Sequence, residues 1–461
     1  MRKLSALDLA FFLAETEASP KHVAGLMLLK KPRNAPRDFG ARLVDELKGH
    51  DRPTEPFNLV IQFAGLGGPH WRPAGHFDIN QHVYYHRSRK ARSWNEVKDF
   101  AARLHEPVMD RSRPLWDYHL IDGVEGARFA VYFRVHHAYA DGMTMTAWLQ
   151  KTLSDSPDDQ TLRPVWTMPM SKSRRSRPGR ESLLATVSKL GSQSWSQLQT
   201  AGGMAKLASQ QLLERAGVTR KAVPLQFNTT DRTPLTGSPA PGRSIATANL
   251  AMEDVRQVCQ SARVTINHLA LTCIDGALHR YLEETGFPVD HELMIQMPVN
   301  LRRDGKSGSG NRVGVVLVEL AEPTTDPIRR LNGVGHSLHK VRNQIDSVPG
   351  DAMQQYTVIS ALTMELIDQL KLSDRIPATG HTLVSNVPGP EHALYLKGAK
   401  LEQSYPISIL VPGLRTNITL FSCSGRLNFG IVATEHLEDL DLLGTYIEEE
   451  FKALQDAVIR P

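Results

Sequence analysis

The sequence predicts an α/β protein of two domains, and three observations carry that expectation. Its 461 residues exceed what one ordinary hydrophobic core supports. From Met1 to about Asp159, short apolar runs of strand character alternate with stretches of helical spacing. A second block with the same mix begins near Arg232 and runs to the end, beyond an aperiodic stretch rich in Pro, Ser and Arg. With 41% hydrophobic and 22% charged residues, the composition is that of a folded chain with a large core.

The opening MRKLSALDLAFFLAETE reads as an amphipathic first helix. It does not read as a signal peptide, because Asp8 interrupts the apolar run and Glu15 and Glu17 stand where a small-residue cleavage site belongs. GLMLL and FNLVIQF read as strands, while DFGARLVDEL and WNEVKDFAARLH have helical spacing. From Leu162 to Arg180 the periodicity stops, which marks a linker or exposed loop. Leu183, Val187, Leu190, Trp195, Leu198, Met204, Leu207 and Leu212 then fall at helical intervals and suggest crossover helices. In the second block a helix is expected over Asn267 to Glu284, with strands at LMIQMPVN, NRVGVVLVEL, RTNITLFSC and RLNFGIVAT. The division is therefore 1–165 for the first domain, 166–231 for linker and crossover helices, and 232–461 for the second.

Several classes of function are set aside by composition. A net charge of +5 is a mild basic bias with no nucleic-acid-reading motif beside it. Cys259, Cys273 and Cys423 form no CxxC pair, so neither a disulfide framework nor a zinc ribbon is offered, and a cytoplasmic setting is expected. No apolar run approaches the roughly 18 residues of a membrane span.

The chemistry concentrates in HHAYADG, His136 to Gly142. In RFAVYFRVHH, Phe129, Val131, Phe133, Val135 and His137 share one parity, and Tyr132, Arg134 and His136 the other. A strand that persists this far turns His137 toward the apolar face and His136 away from it. MTMTAWLQKTL follows with helical character, which makes Asp141 an N-cap candidate. An imidazole, with its usual pKa of about 6.5, can take a proton from a hydroxyl near neutral pH. Asp141 can orient that imidazole, or can hold the loop by pairing with an arginine, Arg302 in MPVNLRRDG being the candidate. An isolated His-His pair is also commonly a packed or superficial feature. As a metal site it is poor, since adjacent residues face opposite sides and no HExxH or His/Cys cluster completes a ligand set. GKSGSG is no phosphate loop, because Asn300 stands where the first glycine belongs.

HHAYADG resembles the HHxxxDG motif of acyltransferases that use coenzyme A or carrier-protein thioesters. LSALDLAFFLAETEASPKHVAGLMLL, HFDINQHVYYH, DRSRPLW and SNVPGP, with HHAYADG, together resemble the bacterial wax ester synthase/diacylglycerol acyltransferase family over nearly the whole chain. The resemblance implies two chloramphenicol-acetyltransferase-like domains with the active site at their interface. It makes His137 the general base, with Asp141 and Gly142 shaping its loop; Asp141 is grouped with His137 as a catalytic candidate, and His136, Gly142, Asn267 and Arg302 as supporting ones. Asn267 matches a family Asn-Asp segment from which His268 departs, and Ser422-Cys423 departs where the family usually has Ser-Tyr. Pro114, Leu115, Trp116, Ser385 and Asn386 are the candidate substrate contacts, although Pro114 to Trp116 also reads as strand packing and Ser385 to Pro390 as a turn or crossover.

The activity so implied is transfer of a fatty acyl group from acyl-coenzyme A, as co-substrate, to a long-chain alcohol or diacylglycerol, with no metal or other cofactor. Its partners would be those substrates and, peripherally, a membrane or lipid-droplet surface. Two rivals stay open: a condensation enzyme using a carrier-bound acyl group and an amine, and a lipid-binding protein without catalysis.

Overall fold

The computed structural model describes residues 2–4, 6–63, 68–88, 90–168, 231–300, 313–347, 364–365, 367–370, 372–376 and 378–459. Arg302, the basic stretch 171–180 and the expected crossover helices lie outside the described residues. The described strands, in chain order, are β1 (Arg2–Lys3), β2 (His22–Lys30), β3 (Leu59–Gln62), β4 (His70–Pro73), β5 (Val83–His86), β6 (Trp116–Val124), β7 (Arg128–His136), β8 (Ser244–Ala251), β9 (Met294–Asn300), β10 (Val313–Glu319), β11 (Thr382–Pro388), β12 (Tyr395–Leu396), β13 (Ala399–Ile407), β14 (Thr416–Cys423) and β15 (Arg426–Ala433). They form one six-stranded sheet of order β12-β13-β2-β7-β6-β5, another of order β10-β9-β11-β14-β15-β8, and a small sheet of order β1-β4-β3.

Local sequence accounts for most elements. Along β2, Val23, Gly25, Met27 and Leu29 take one face and Ala24, Leu26 and Leu28 the other. The second set packs on helix Trp94–His105, whose Val97, Ala101 and Ala102 are buried. That helix starts on a capping box: the Ser93 hydroxyl accepts from the Glu96 amide at 3.3 Å, and the Ser93 amide donates to the Glu96 carboxylate at 2.7 Å. Strands β6 and β7 are buried along nearly all their length, which fits their place inside the sheet.

The first sheet is completed by the second half of the chain. Strand β13 pairs antiparallel with β2 from Lys400↔Lys30 to Ile407↔Ala24, so the second half of the chain supplies β12 and β13 to the first sheet. Trp94 adds a hydrogen bond to Thr247 at 3.0 Å, and Tyr405, Ile245 and Val432 share a core with Ala24 and Leu26. Two readings of the sequence are corrected here. The linker reading from Leu162 fails up to Thr167, because Trp166 is wholly buried, stacks on Trp116 and donates to the His50 carbonyl at 2.8 Å. Ser385 to Pro388 is strand, not turn, since β11 runs parallel between β9 and β14 and only Gly389-Pro390 leaves it.

Candidate active site

Strand β7 lies between β2 and β6 and ends at His136, so His137 emerges from the middle of the sheet. Its amide donates to the Lys21 carbonyl at 2.8 Å, and its ring, half-buried, stacks on Phe11 with centroids 4.4 Å apart. With Val131 and Phe133 of the same parity it lines a cavity of about 320 Å³. That volume is at the lower end of small-molecule sites. The walls come from both halves of the chain: β2, β7 and helix Gly142–Thr152 from the first, β11, β13 and β14 from the second, with β13 lying beside β2 in the first sheet. They are mainly aliphatic and aromatic. Among the described lining residues His137 is the one side chain able to exchange a proton near neutral pH, Tyr118 being pushed far above its usual range by burial.

The loop after His137 is tightly held. Tyr139 donates its amide to the His136 carbonyl at 2.8 Å, and its buried hydroxyl accepts from the Leu115 amide at 3.1 Å while donating to the Leu59 carbonyl. Asp141 caps the following helix, its carboxylate accepting from the Thr144 amide at 2.8 Å. Gly142 lines the cavity against β11. A Cβ there would come within 3.2 Å of Val387, so the glycine permits helix and strand to approach closely.

His136 does not turn away from the apolar interior. It is fully buried and stacked on Phe12 with centroids 4.2 Å apart, because the second face of β7 is covered as well. Its Nδ1 accepts from the Ala138 amide at 3.1 Å, which places the proton of the neutral ring on Nε2, 3.6 Å from Glu15 Oε1. Burial, helped by His137 and Arg111, pushes its pKa down to about 3. Glu15 also accepts from the Lys21 amide at 3.0 Å and from Arg111 at 3.0 Å. One buried carboxylate therefore ties the end of the first helix, the start of β2 and the Arg111 segment before β6 together, with His136 packed beside it. Sequence reasoning missed this clamp; its available signal was an acidic residue directly after the apolar run AFFLA.

The remaining candidates divide. Ser385 faces the cavity, whereas Asn386, one residue along β11, is exposed on the opposite side. Pro114, Leu115 and Trp116 do not line the cavity. They are buried in the first core, where Trp116 stacks on His82 and donates to the Phe57 carbonyl at 2.9 Å. Asn267 also lies off the cavity, its side-chain amide 3.8 Å from the Met297 sulfur. Its neighbour His268 donates Nε2 to the Leu331 carbonyl at 2.7 Å and braces helix Pro327–Ser347. Missed from the sequence is a small polar patch on the cavity wall: Ser404, Ser408, Asn417 and Thr419, with the Ser408 and Thr419 hydroxyls 2.9 Å apart and Thr419 donating to Asn417 at 3.0 Å. No group of three or more His, Cys, Asp or Glu among the described residues could hold a metal ion.

Burial lowers the His137 pKa, opposed by a hydrogen bond to its own backbone carbonyl and by the charges of Asp141 and Asp8. The neutral, proton-accepting form consequently persists below the usual imidazole range. For a base the active form is lost by protonation, so kcat/KM should fall on the acid side with a midpoint below about 6.5. A pH profile with its acid limb centred above that value would contradict the assignment.

An imidazole in a mainly apolar cleft lined from both halves of the chain suits attack of a hydroxyl on an acyl thioester, which is the class of HHxxxDG acyltransferases. Residues 4–270 match the wax ester synthase/diacylglycerol acyltransferase catalytic domain and residues 309–455 the WS/DGAT C-terminal domain. A Mycobacterium tuberculosis protein named as a diacylglycerol O-acyltransferase is 31% identical over 98% of both chains. The O-acyltransferase WSD of Acinetobacter baylyi is 29% identical over 100% of this chain and 98% of its own. The solved wax ester synthase/diacylglycerol acyltransferase of Marinobacter aquaeolei superposes with a TM-score of 0.77 at 27% identity, covering 99% of this chain and 100% of that one. The first condensation domain of the calcium-dependent antibiotic synthetase, at 13% identity and a TM-score of 0.56, shares the fold. The chain belongs to the wax ester synthase/diacylglycerol acyltransferase family and is an O-acyltransferase.

Proposed function

We propose that the protein moves a fatty acyl group from acyl-coenzyme A to a long-chain alcohol or diacylglycerol, with His137 as general base. One observation carries the choice of base: His137 is the lone group suited to proton exchange near neutral pH among the described residues of an otherwise apolar cavity. As the hydroxyl oxygen bonds to the thioester carbonyl carbon, the imidazole takes its proton. The tetrahedral intermediate then collapses, the carbon–sulfur bond breaks, and the imidazolium returns the proton to the departing thiolate. A thiolate leaves far more readily than an alkoxide, so the base serves mainly the nucleophile. Asp141 supports the step through the helix cap and through its charge, which favours the imidazolium. No cofactor beyond the acyl-coenzyme A co-substrate is invoked.

The test is the purified protein with hexadecanoyl-coenzyme A and a panel of alcohols, diacylglycerol and amines, read by product mass spectrometry and thiol release. Ester with equimolar thiol is expected. Product from a carrier-bound thioester and an amine alone would favour condensation chemistry, and no thiol release with any acceptor would favour mere lipid binding.

Such substrates reside in lipid, yet no helix among the described residues is long and apolar enough to cross a membrane. We therefore place the protein at a lipid surface through peripheral contact. Lys172, Arg174, Arg175, Arg177 and Arg180 supply a basic stretch worth about 1 kcal/mol per residue near an anionic surface. Leu13 and Leu370 are 65% and 59% exposed, and Gln369 joins their segments through the Leu13 carbonyl at 3.4 Å. Anionic vesicles should co-sediment the protein in a salt-sensitive manner, and changing the four arginines to glutamine should abolish the preference for anionic over neutral lipid. Equal binding by that variant would remove the basic stretch from the contact.

A further inference from the structure

Gly25 sits in the interior of β2, paired with Phe133 of β7 on one side and Pro406 of β13 on the other. A glycine in a strand interior weakens it, through lost chain entropy and lost packing. Two ordinary reasons for a glycine are absent. Its φ is not in the left-handed region, so the backbone accepts any residue. A Cβ built on it would meet nothing within 4 Å, so no neighbour demands the close approach. The open space is the cavity itself: Val23, Gly25, Met27 and Leu29 succeed one another along its wall, and Gly25 is the gap in that row.

The gap is displaced from the reacting centre in a definite direction. His137 is tied by its amide to the Lys21 carbonyl, and Gly25 follows four residues further along the extended chain, about 13 Å away at the rise of a strand. An atom there touches a bound chain well away from its reacting end. The flanking surfaces, Phe133 and Pro406, offer no charge.

We propose that Gly25 is a specificity-determining residue: the space above it receives the distal part of a substrate alkyl chain, and its missing side chain sets how long that chain can be. The inference rests on the acyl-transfer reading. A methylene that a pocket cannot accept changes discrimination by roughly tenfold or more, and a valine at Gly25 projects two methyl groups beyond the added Cβ into the occupied space. The alkyl chain can belong to the acyl donor or to the alcohol, and the experiment separates them.

Gly25→Ala and Gly25→Val, made in the full chain, are assayed in two arms. One varies the donor from octanoyl- to octadecanoyl-coenzyme A against hexadecanol. The other varies the alcohol from octanol to octadecanol against hexadecanoyl-coenzyme A. In one arm the ratio of long-chain to short-chain kcat/KM should fall about tenfold or more for valine and less for alanine, and that arm identifies the chain above Gly25. Melting temperatures should hold or rise, as the strand loses a glycine. An unchanged ratio in both arms, or a Gly25→Val protein that no longer folds, overturns the proposal, the latter because the space would not then be open. A wild-type protein that transfers no acyl group in either arm fails the acyl-transfer reading itself, before any variant is compared.

Discussion

His137→Ala is expected to lower kcat by about 100-fold or more, the scale of a positioned general base, while leaving the melting temperature nearly unchanged. The ring is half-buried on a cavity wall, and the hydrogen bond that fixes the residue is its backbone amide to Lys21, which alanine keeps. His136→Ala should behave in the opposite sense. Its ring is wholly enclosed between Phe12 and Glu15, so truncation leaves a hole and a carboxylate that has lost a neighbour. Losses on the order of 2 kcal/mol follow from such changes, with a smaller effect on kcat in the protein that remains folded. Steady-state kinetics beside thermal unfolding of both variants decide the matter. Equal kinetic losses at equal stability would show that His137 is not the distinct base.

Gly430→Ala should be the most damaging single-methyl change in the molecule's joint. Gly430 lies in β15 opposite Thr419 and Thr247, and a Cβ on it would overlap the Pro406 carbonyl oxygen and approach its carbon to 2.9 Å. The obstacle is backbone, not a flexible side-chain end. Pro406 belongs to β13, which is hydrogen-bonded into the other sheet, so relief requires moving one sheet from its neighbour. Overpacking of this kind costs about 3 kcal/mol when nothing yields. Pro406 and Thr419 both line the cavity, so acyl transfer should fall along with the unfolding temperature. Chemical denaturation with Gly25→Ala as the comparison measures it; a stable, fully active Gly430→Ala would mean that the joint is compliant.

The sequence alone determined what depends on neighbours along the chain. Apolar runs predicted β2, β3, β7 and, in the second block, β9, β10, β14 and β15, and the observed elements lie within a few residues of those readings. The helix after Asp141 was legible for the same reason, since a cap and its amide are three residues apart. Family motifs carried the two-half architecture, and the candidate base at His137, further than periodicity could. Only the tertiary structure decided which buried positions meet. Glu15 reaches Arg111 across 96 positions, and Ser404 joins Gly25 on one wall through the crossing of β13 into the first sheet. Pro114 to Trp116 went to the core and Ser385 to the cavity although both stretches look equally motif-like, because the first lies under Trp166 and His82 while the second borders the joint between halves. A spacing rule records which way a side chain points from its own strand; what stands opposite it is set by the path of the chain, and no local window contains that path.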